Sequence, residues 1–326
     1  MISRYRLLQA LADGSCHSGE ELGAMLGVSR AAVWKQLGVL RDQGVSIEAV
    51  PGRGYRLLQA VELLEESAIL REMTPASRQR LSALEIHSEL SSTNTHLRRR
   101  AMDGAPSATA CLAEWQNCGR GRRGREWYSP FGGNICLSLL WRMTTGAAAL
   151  AGLSLAVGIA VRRGLQDFGV AGTGLKWPND VIADGAKIAG VLIEVGGEAT
   201  GPCYVVIGVG VNVHLPEDVN SRIDQPWVDI RTLQGTERIR RNRLAAQLLE
   251  HLLRAIPDYE SSGLEPFLGE WHEHDITAGR QLRILLPDGE VTGTGAGVDS
   301  SGALLLQTAQ GLRSFSTGEV SLRITS

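Results

Sequence analysis

The chain has 326 residues, 43% of them hydrophobic and 21% charged, with a formal net charge of −2. That length suits two or three domains with a sizeable core, and that charge excludes a general nucleic-acid coating protein. Five scattered cysteines form no CxxC pair and no positive-then-apolar export signal opens the sequence, so a reducing, cytoplasmic setting is expected.

The average hides a contrast. Residues 1–60 carry seven Lys/Arg and five Asp/Glu, so this part is +2 and the remainder −4. Ile2 to Ala12 has helical apolar spacing. Ser18 with Glu21 three residues on is a capping box for a second helix. After the turn at Gly27-Val28, Ser29 caps a third helix, Arg30 to Arg41, with Val33, Leu37 and Leu40 facing inward. Helix, glycine turn, helix is the helix-turn-helix pattern. Ser46 to Val50 and Gly54 to Leu57 flank Pro51-Gly52-Arg53 as a two-stranded wing. Residues 1–62 are therefore expected to be a winged helix-turn-helix. Its candidate DNA contacts are Ser18, Ser29, Arg30, Ala31, Lys35, Gln36 and, at the wing tip, Arg53. Trp34 suits packing or sugar contact better than base reading. One small module binds weakly, so useful affinity needs two copies on a palindromic site.

Next come a linker helix (Leu63 to Leu70), a polar loop (Thr74 to Gln79) and a short strand (Leu81 to Ile86). Ser92, Thr93 and Asn94 then open a helix through Arg100. Small hydroxyl and amide groups there suit a compact polar ligand, or an ordinary cap. A strand, Thr109 to Glu114, leads to Gly119–Arg125, where four arginines and three glycines share seven positions. Glycine allows close backbone approach and arginine offers forked donors to phosphate or carboxylate. Alone, such a segment reads as a basic surface loop or a nucleic-acid patch; between two core strands it is also a candidate active-site flap.

Ile135 to Trp141 is the strand that follows. The uncharged run Met143 to Val161 is expected to contribute to a buried helix near 150–167, not a membrane span. Lys176-Trp177-Pro178-Asn179-Asp180 presents an amide and a carboxylate on a proline-held turn. Lys187 stands at the mouth of a strand running to Glu194, and Tyr204 to Val213 is a buried strand containing Gly208, Gly210 and Asn212. Leu215 to Gln234 is a polar stretch. Helices are expected over Arg240 to Tyr259 and Leu264 to Trp271. Residues 275–326 suggest a meander of five strands forming a small barrel.

Several familiar chemistries fail. Gly208-Val209-Gly210 lacks the third glycine of a dinucleotide fingerprint, and Gly119–Gly124 lacks a P-loop ending. The histidines show no zinc spacing, and no serine sits in a nucleophile elbow. Lys, Arg, Asn and Asp with aromatics and glycines remain. This set suits attack by a carboxylate on a nucleotide phosphate, cations stabilising the pentavalent phosphorus and magnesium the leaving pyrophosphate.

Taken together, HSGEELGAMLGVSRAAVWKQ, VPGRGYRL, SSTN, GRGRRGREWYSPFGGN, KWPND, KIAGVLIE, GVGVNV and TGEVSLR resemble the biotin protein ligases of the bifunctional type that also repress biotin synthesis genes. The match covers essentially the whole chain. It implies a multidomain α+β protein: the winged domain (1–62), a central mixed sheet with helices like a class II aminoacyl-tRNA synthetase core (75–274), and a small SH3-like barrel (275–326). It implies that biotin and MgATP give biotinyl-5'-AMP, and that a lysine of a biotin carboxyl carrier protein, typically of acetyl-CoA carboxylase, then displaces AMP. Ser92, Thr93, Asn94, Gln116, Gly119, Arg120, Arg122 and Lys187 would bind biotin. Arg122, Arg125, Trp127, Asn179, Lys187, Asn212, Glu319 and Arg323 would bind ATP or the adenylate. Lys187, Arg120 and Arg122 would carry catalysis, and Asp180 would sit near magnesium. The resemblance also implies a homodimer formed on biotin operator DNA when the adenylate is bound, and a flap that orders on binding. The rival readings are a lipoate or octanoate ligase on the same catalytic fold, and a regulator that only senses a small ligand.

Overall fold

The structure is a computed structural model that describes residues 4–42, 45–58, 60–144, 146, 150–198, 202–216, 219, 222–236, 238–286, 289–316 and 321–324, with Asp42 and the last four described by their backbone only. The N-terminal unit comprises α1 (Arg4–Leu11), α2 (Gly19–Leu26), α3 (Arg30–Asp42) and the hairpin β1 (Ile47–Val50) and β2 (Gly54–Leu57). The capping box at Ser18 forms, and Gly27 ends α2 in the left-handed conformation that favours glycine. Leu7, Leu11, Leu22, Val33, Leu37 and Leu40 close a core separate from the main one, against which Val61 and Phe131 pack from outside.

The central sheet has seven strands in the order β3-β4-β5-β9-β8-β7-β6. These are β3 (Ala83–His87), β4 (Thr109–Ala113), β5 (Asn134–Met143), β6 (Gly174–Lys176), β7 (Asp180–Ala183), β8 (Ala186–Gly197) and β9 (Cys203–Asn212). Only β3 and β4 pair in parallel. One face is covered by α7 (Leu153–Phe168) and, after the short α8 (Ile230–Gln234), by α9 (Arg241–Ser262), whose Leu244, Leu248 and Leu252 form the expected buried stripe together with Leu249, Leu253 and Ile256. Each such side chain contributes about 1.5–3 kcal/mol when fully buried. The other face carries α6 (Thr93–Met102) through Leu97 and Ala101. Among the described residues, no helix is long and apolar enough to cross a membrane.

Two expectations change. Thr74 to Gln79 is not a loop: α4 (Glu66–Glu72) is followed by α5 (Pro75–Arg80), because Thr74 Oγ1 accepts from the Ser77 amide and Pro75 occupies the first turn. The C-terminal sheet is not a simple meander either. Its strands β10 (Gln281–Leu286), β11 (Gly289–Val298), β12 (Leu304–Thr308), β13 (Gly311–Phe315) and β14 (Ser321–Ile324) run in the order β13-β12-β11-β10-β14. The last strand returns to cover the otherwise open edge of β10. Leu282, Ile284, Leu304 and Leu306 join the main core, beside α10 (Glu265–His274).

A buried ion pair fastens the linker to the sheet. Arg241 Nη1 lies 2.6 Å from Glu114 Oε2 and also donates to the Glu62 carbonyl at 2.8 Å, while the Leu64 amide donates to Glu114 Oε1. Arg241 Nη2 reaches the Asn134 carbonyl at 3.0 Å. Both side chains are buried, so the pair sits in a medium where neither charge is tolerable alone.

Candidate active site

The site forms where the middle of the central sheet faces the arginine-glycine loop. Strand side chains alternate, so Gly208 and Gly210 of β9 leave a trough on one face. Gly190 of β8 lies directly opposite Gly210 and widens it. A Cβ on Gly208 would overlap Asn94 Oδ1, and one on Gly210 would stand 2.5 Å from Trp127 Cε2. The missing side chains are what admit the Asn94 amide and the Trp127 indole.

At the N-terminus of α6, the Ser92 hydroxyl caps the helix while Thr93 donates from both its amide and its hydroxyl to Gln116 Oε1, at 2.7 and 3.1 Å. Ser138 on β5 donates within reach of Thr93 Oγ1 (2.7 Å) and Asn94 Oδ1 (2.6 Å). Asn94 Nδ2 in turn reaches Glu194 Oε2 at 2.9 Å. All of these except Glu194 are nearly fully buried, so this wall is a rigid polar lattice and not a set of rotating side chains.

Opposite it lies the charged part. Lys187 Nζ is 2.6 Å from Asp180 Oδ1 and 5.5 Å from the centroid of the Trp127 ring. The Lys187 backbone is gripped by the segment after the polar stretch: its amide donates to the Pro226 carbonyl and its carbonyl accepts from the Val228 amide, each at 3.0 Å. Asn179 Nδ2 donates to the Val191 carbonyl at 2.7 Å, leaving Oδ1 facing Arg122 Nη1 at 3.4 Å. Burial disfavours the charge of the Arg122 guanidinium; Asp180 favours it, and Arg125 and Arg123 oppose it again. A bound anion would relieve that cluster.

The loop itself is folded over the trough. Trp127 donates its amide to the Gly119 carbonyl at 2.9 Å, Gly121 donates to the Arg125 carbonyl at 2.7 Å, and residues 122–124 make one 3₁₀ turn with Arg123 at positive φ. Arg120 Nη2 reaches Glu194 Oε2 at 2.9 Å and Thr95 Oγ1 at 3.0 Å, clasping the loop onto α6 and β8.

The cleft under the loop has a volume of about 580 Å³, within the usual range of small-ligand sites. Ser92, Thr93, Asn94, Gln116, Arg120, Arg122, Arg125, Trp127, Asn179, Asp180 and Lys187 all line it. Gly119 and Asn212 support it from outside. Asn212 is buried beneath it, its amide committed to the Lys187 and Val228 carbonyls. Trp177 likewise faces away, donating to the Gly302 carbonyl of the C-terminal unit at 3.0 Å. Glu319 lies outside the described residues, and so does the side chain of Arg323. Sequence reasoning missed Ser138, Glu194, Tyr128 and the lining residues Arg222, Ile223 and Asp224. Only the glycine alternation on β9 hinted at what would stack there.

On the N-terminal unit, Ser29, Arg30, Ala31, Lys35 and Arg53 are exposed and Trp34 is 67% exposed. Ser18 and Ser29 use their hydroxyls as helix caps. Gln36 is half-buried, with its Oε1 enclosed. The groove-facing candidates therefore reduce to the exposed residues of α3 and the wing tip.

A cation-lined pocket under an arginine-glycine loop, on a mixed sheet flanked by a helix-turn-helix unit and a small β unit, suits an adenylate-forming ligase joined to a DNA-binding module. Family comparison agrees along the chain: residues 87–212 match the biotin/lipoate A/B protein ligase family, residues 4–56 an HTH domain, and residues 277–323 the biotin protein ligase C terminal domain. The bifunctional ligase/repressor BirA of Escherichia coli (strain K12) is 39% identical over 318 residues, spanning 98% of this chain and 96% of its own. That of Bacillus subtilis (strain 168) is 32% identical over 307 residues, spanning 94% and 93%. The structure of a biotin protein ligase from Aquifex aeolicus in complex with biotin and ATP superposes with a TM-score of 0.64 at 25% identity, covering 75% of this chain and 100% of that one. The chain belongs to the bifunctional ligase/repressor family of biotin protein ligases.

Proposed function

We propose that the pocket joins biotin to AMP and that the closed loop then holds the product until an acceptor lysine takes the biotin. The biotin carboxylate attacks the α-phosphorus of MgATP and pyrophosphate leaves. The ε-amine of a carrier-protein lysine then attacks the acyl carbon and AMP leaves. The observation that carries this reading is the convergence of Lys187, Arg122 and Asn179 on one cleft that also holds Trp127 and the Ser92–Asn94 wall. Lys187 Nζ would neutralise charge at the carboxylate and α-phosphate, Trp127 would flank the adenine, and Ser92, Thr93, Asn94 and Gln116 would meet the ureido ring. Asn212 acts as a positioning residue, since it holds the Lys187 carbonyl. Arg120 acts through Glu194 as the clasp. Glu319 and Arg323 keep the role that the resemblance gives them, reaching ATP from the C-terminal unit.

Magnesium enters with ATP. Asp180 and Asp224 are carboxylates of the lining and fit an oxygen-preferring ion that keeps waters and phosphates as its other ligands. Asp180 is held by Lys187 at rest, so phosphate arrival would redistribute both charges.

The domains are best divided as 1–62, 75–274 and 275–326. Five free cysteines support a reducing, cytoplasmic setting. The exposed α3 face supports binding of biotin operator DNA. By the resemblance alone the bound form would be a homodimer made when the adenylate is bound, and acceptor and second subunit would then compete for one surface, a linkage. The test mixes the protein with biotin, MgATP and a biotin-acceptor domain, beside gel shifts on the candidate promoter with and without both ligands. Labelled acceptor together with a ligand-dependent shift is expected. Labelling without such a shift would leave a ligase alone, and a shift without labelling would leave a sensor.

A further inference from the structure

The chain holds a second cluster of donors, behind α6 and away from the pocket. β3 is an edge strand that pairs with β4 in parallel, with Glu85 opposite Cys111. Strand alternation sends Glu85 and His87 to the face that α6 covers, and the register sends Cys111 there too. From α6, His96 and Arg100 return one helical turn apart. The donor atoms of His87, His96 and Cys111 lie within 4.8 Å of one another, and the two imidazole centroids are 4.6 Å apart. Glu85 Oε2 stands 2.6 Å from His96 Nε2 and 3.7 Å from His87 Nε2. His87 Nε2 is enclosed and makes no hydrogen bond.

We infer that His87, His96 and Cys111, with Glu85 as fourth donor, form a binding site for a borderline divalent transition ion such as zinc. Two imidazoles, a thiolate and a carboxylate match the ligand chemistry of zinc and its neighbours, not of magnesium or calcium. Bonds of about 2.0–2.3 Å in a tetrahedron put the donors about 3.3–3.8 Å apart. The three donors must draw together by up to about 1.0–1.5 Å while His96 Nε2 parts from Glu85 Oε2 by about 0.7–1.2 Å, shifts within reach of side-chain rotation at the partly exposed histidines. Arg100 donates to Glu85 Oε1 from Nε at 2.9 Å and from Nη2 at 2.8 Å, which turns Oε2 inward as an outer partner of a metal ligand does. Cys111 would release its proton to solvent as the sulfur–metal bond forms. The sequence hides this set because 87, 96 and 111 follow no ligand spacing; a strand, a helix and a second strand assemble it.

The test uses the untagged full chain, stripped by a chelator and titrated with cobalt(II) alone and then zinc(II) alone. One equivalent of cobalt should bind with a thiolate-to-cobalt charge-transfer band and tetrahedral visible bands, both erased by zinc. Zinc should raise the melting temperature. Cys111→Ser should lose the charge-transfer band. Because Cys111 is buried, His87→Asn at a partly exposed position is the second variant, and it should weaken cobalt binding by at least about tenfold. Cobalt binding without the thiolate band, or unchanged in His87→Asn, would overturn the site. Failure here leaves the ligase reading untouched, since none of these residues lines the pocket.

Discussion

The proposed mechanism leans most on Lys187, whose surroundings hold its charge in place. Asp180 balances it at 2.6 Å, the Trp127 face lies beside it, and Gly190 leaves room for its stem, since a Cβ there would stand 3.0 Å from Nζ. Charge stabilisation of a developing phosphorane is worth roughly 10²-fold or more in rate for one well-placed group. Lys187→Ala should lower pyrophosphate release by that factor, while DNA affinity without ligands stays unchanged because α3 and the wing lie in a separate core. A normal rate of pyrophosphate release in the variant would remove Lys187 from the mechanism. At this scale the sequence was most legible where the chemistry demanded a rare combination: Lys187, Asn179, Arg122 and Trp127 all reach the pocket. Ser138 and Glu194 were invisible because a serine or glutamate within a strand carries no pattern; only cross-strand placement brings them to Asn94.

At the scale of elements, the arginine-glycine loop is a clasp with two ends. Arg120 holds the outside through Glu194, and Arg122 holds the inside beside Asn179. Arg122→Gly should therefore let the adenylate escape: free biotinyl-AMP in solution should rise, as should labelling of unrelated protein lysines. If neither increases, retention belongs to other residues. The loop's place between β4 and β5 was readable because its composition suits neither helix nor core strand. α5 was not, because a polar surface helix has no apolar stripe and its signal lies in Thr74-Pro75 alone. The return of β14 to β10 was likewise hidden: strand periodicity fixes which face is buried, but not which edge receives the strand. The segment 222–228 read as a polar connection, yet it supplies both pocket lining and the backbone grip on Lys187, which depend on contacts far apart in the chain.

At the scale of the molecule, two ion-pair systems add to the hydrophobic contact between elements of the main core. Glu114 and Arg241 lie between the linker and the sheet. Arg241→Met leaves a buried carboxylate unpaired and should cost about 3–5 kcal/mol in urea unfolding. The double variant with Glu114→Leu should recover much of it; an equal loss in both would mean that packing, not charge, is at stake. Farther along, Glu270 on α10 bridges Arg162 and Arg163 of α7, accepting from Arg162 Nη2 at 2.7 Å and from Arg163 Nε at 2.9 Å.

Burial alone would raise the Glu270 pKa, but hydrogen bonds and charge from Arg163 and Arg162 hold it below its ordinary 4.5. A carboxylate whose folded value is depressed contributes stability that is fully present above the unfolded value and is lost as pH falls through the folded one. Glu85 and Glu260 are depressed in the same direction: burial opposes the shift in both, while His96 and Arg100 favour it in the first and Trp141 and Thr144 in the second. The wild-type melting temperature should thus fall as pH drops below about 4.5, and Glu270→Gln should be less stable than wild type at neutral pH, with the gap narrowing on acidification. Melting curves across that range decide it: a gap of constant size would show that the link between α7 and α10 works by shape and not by the charge on Glu270.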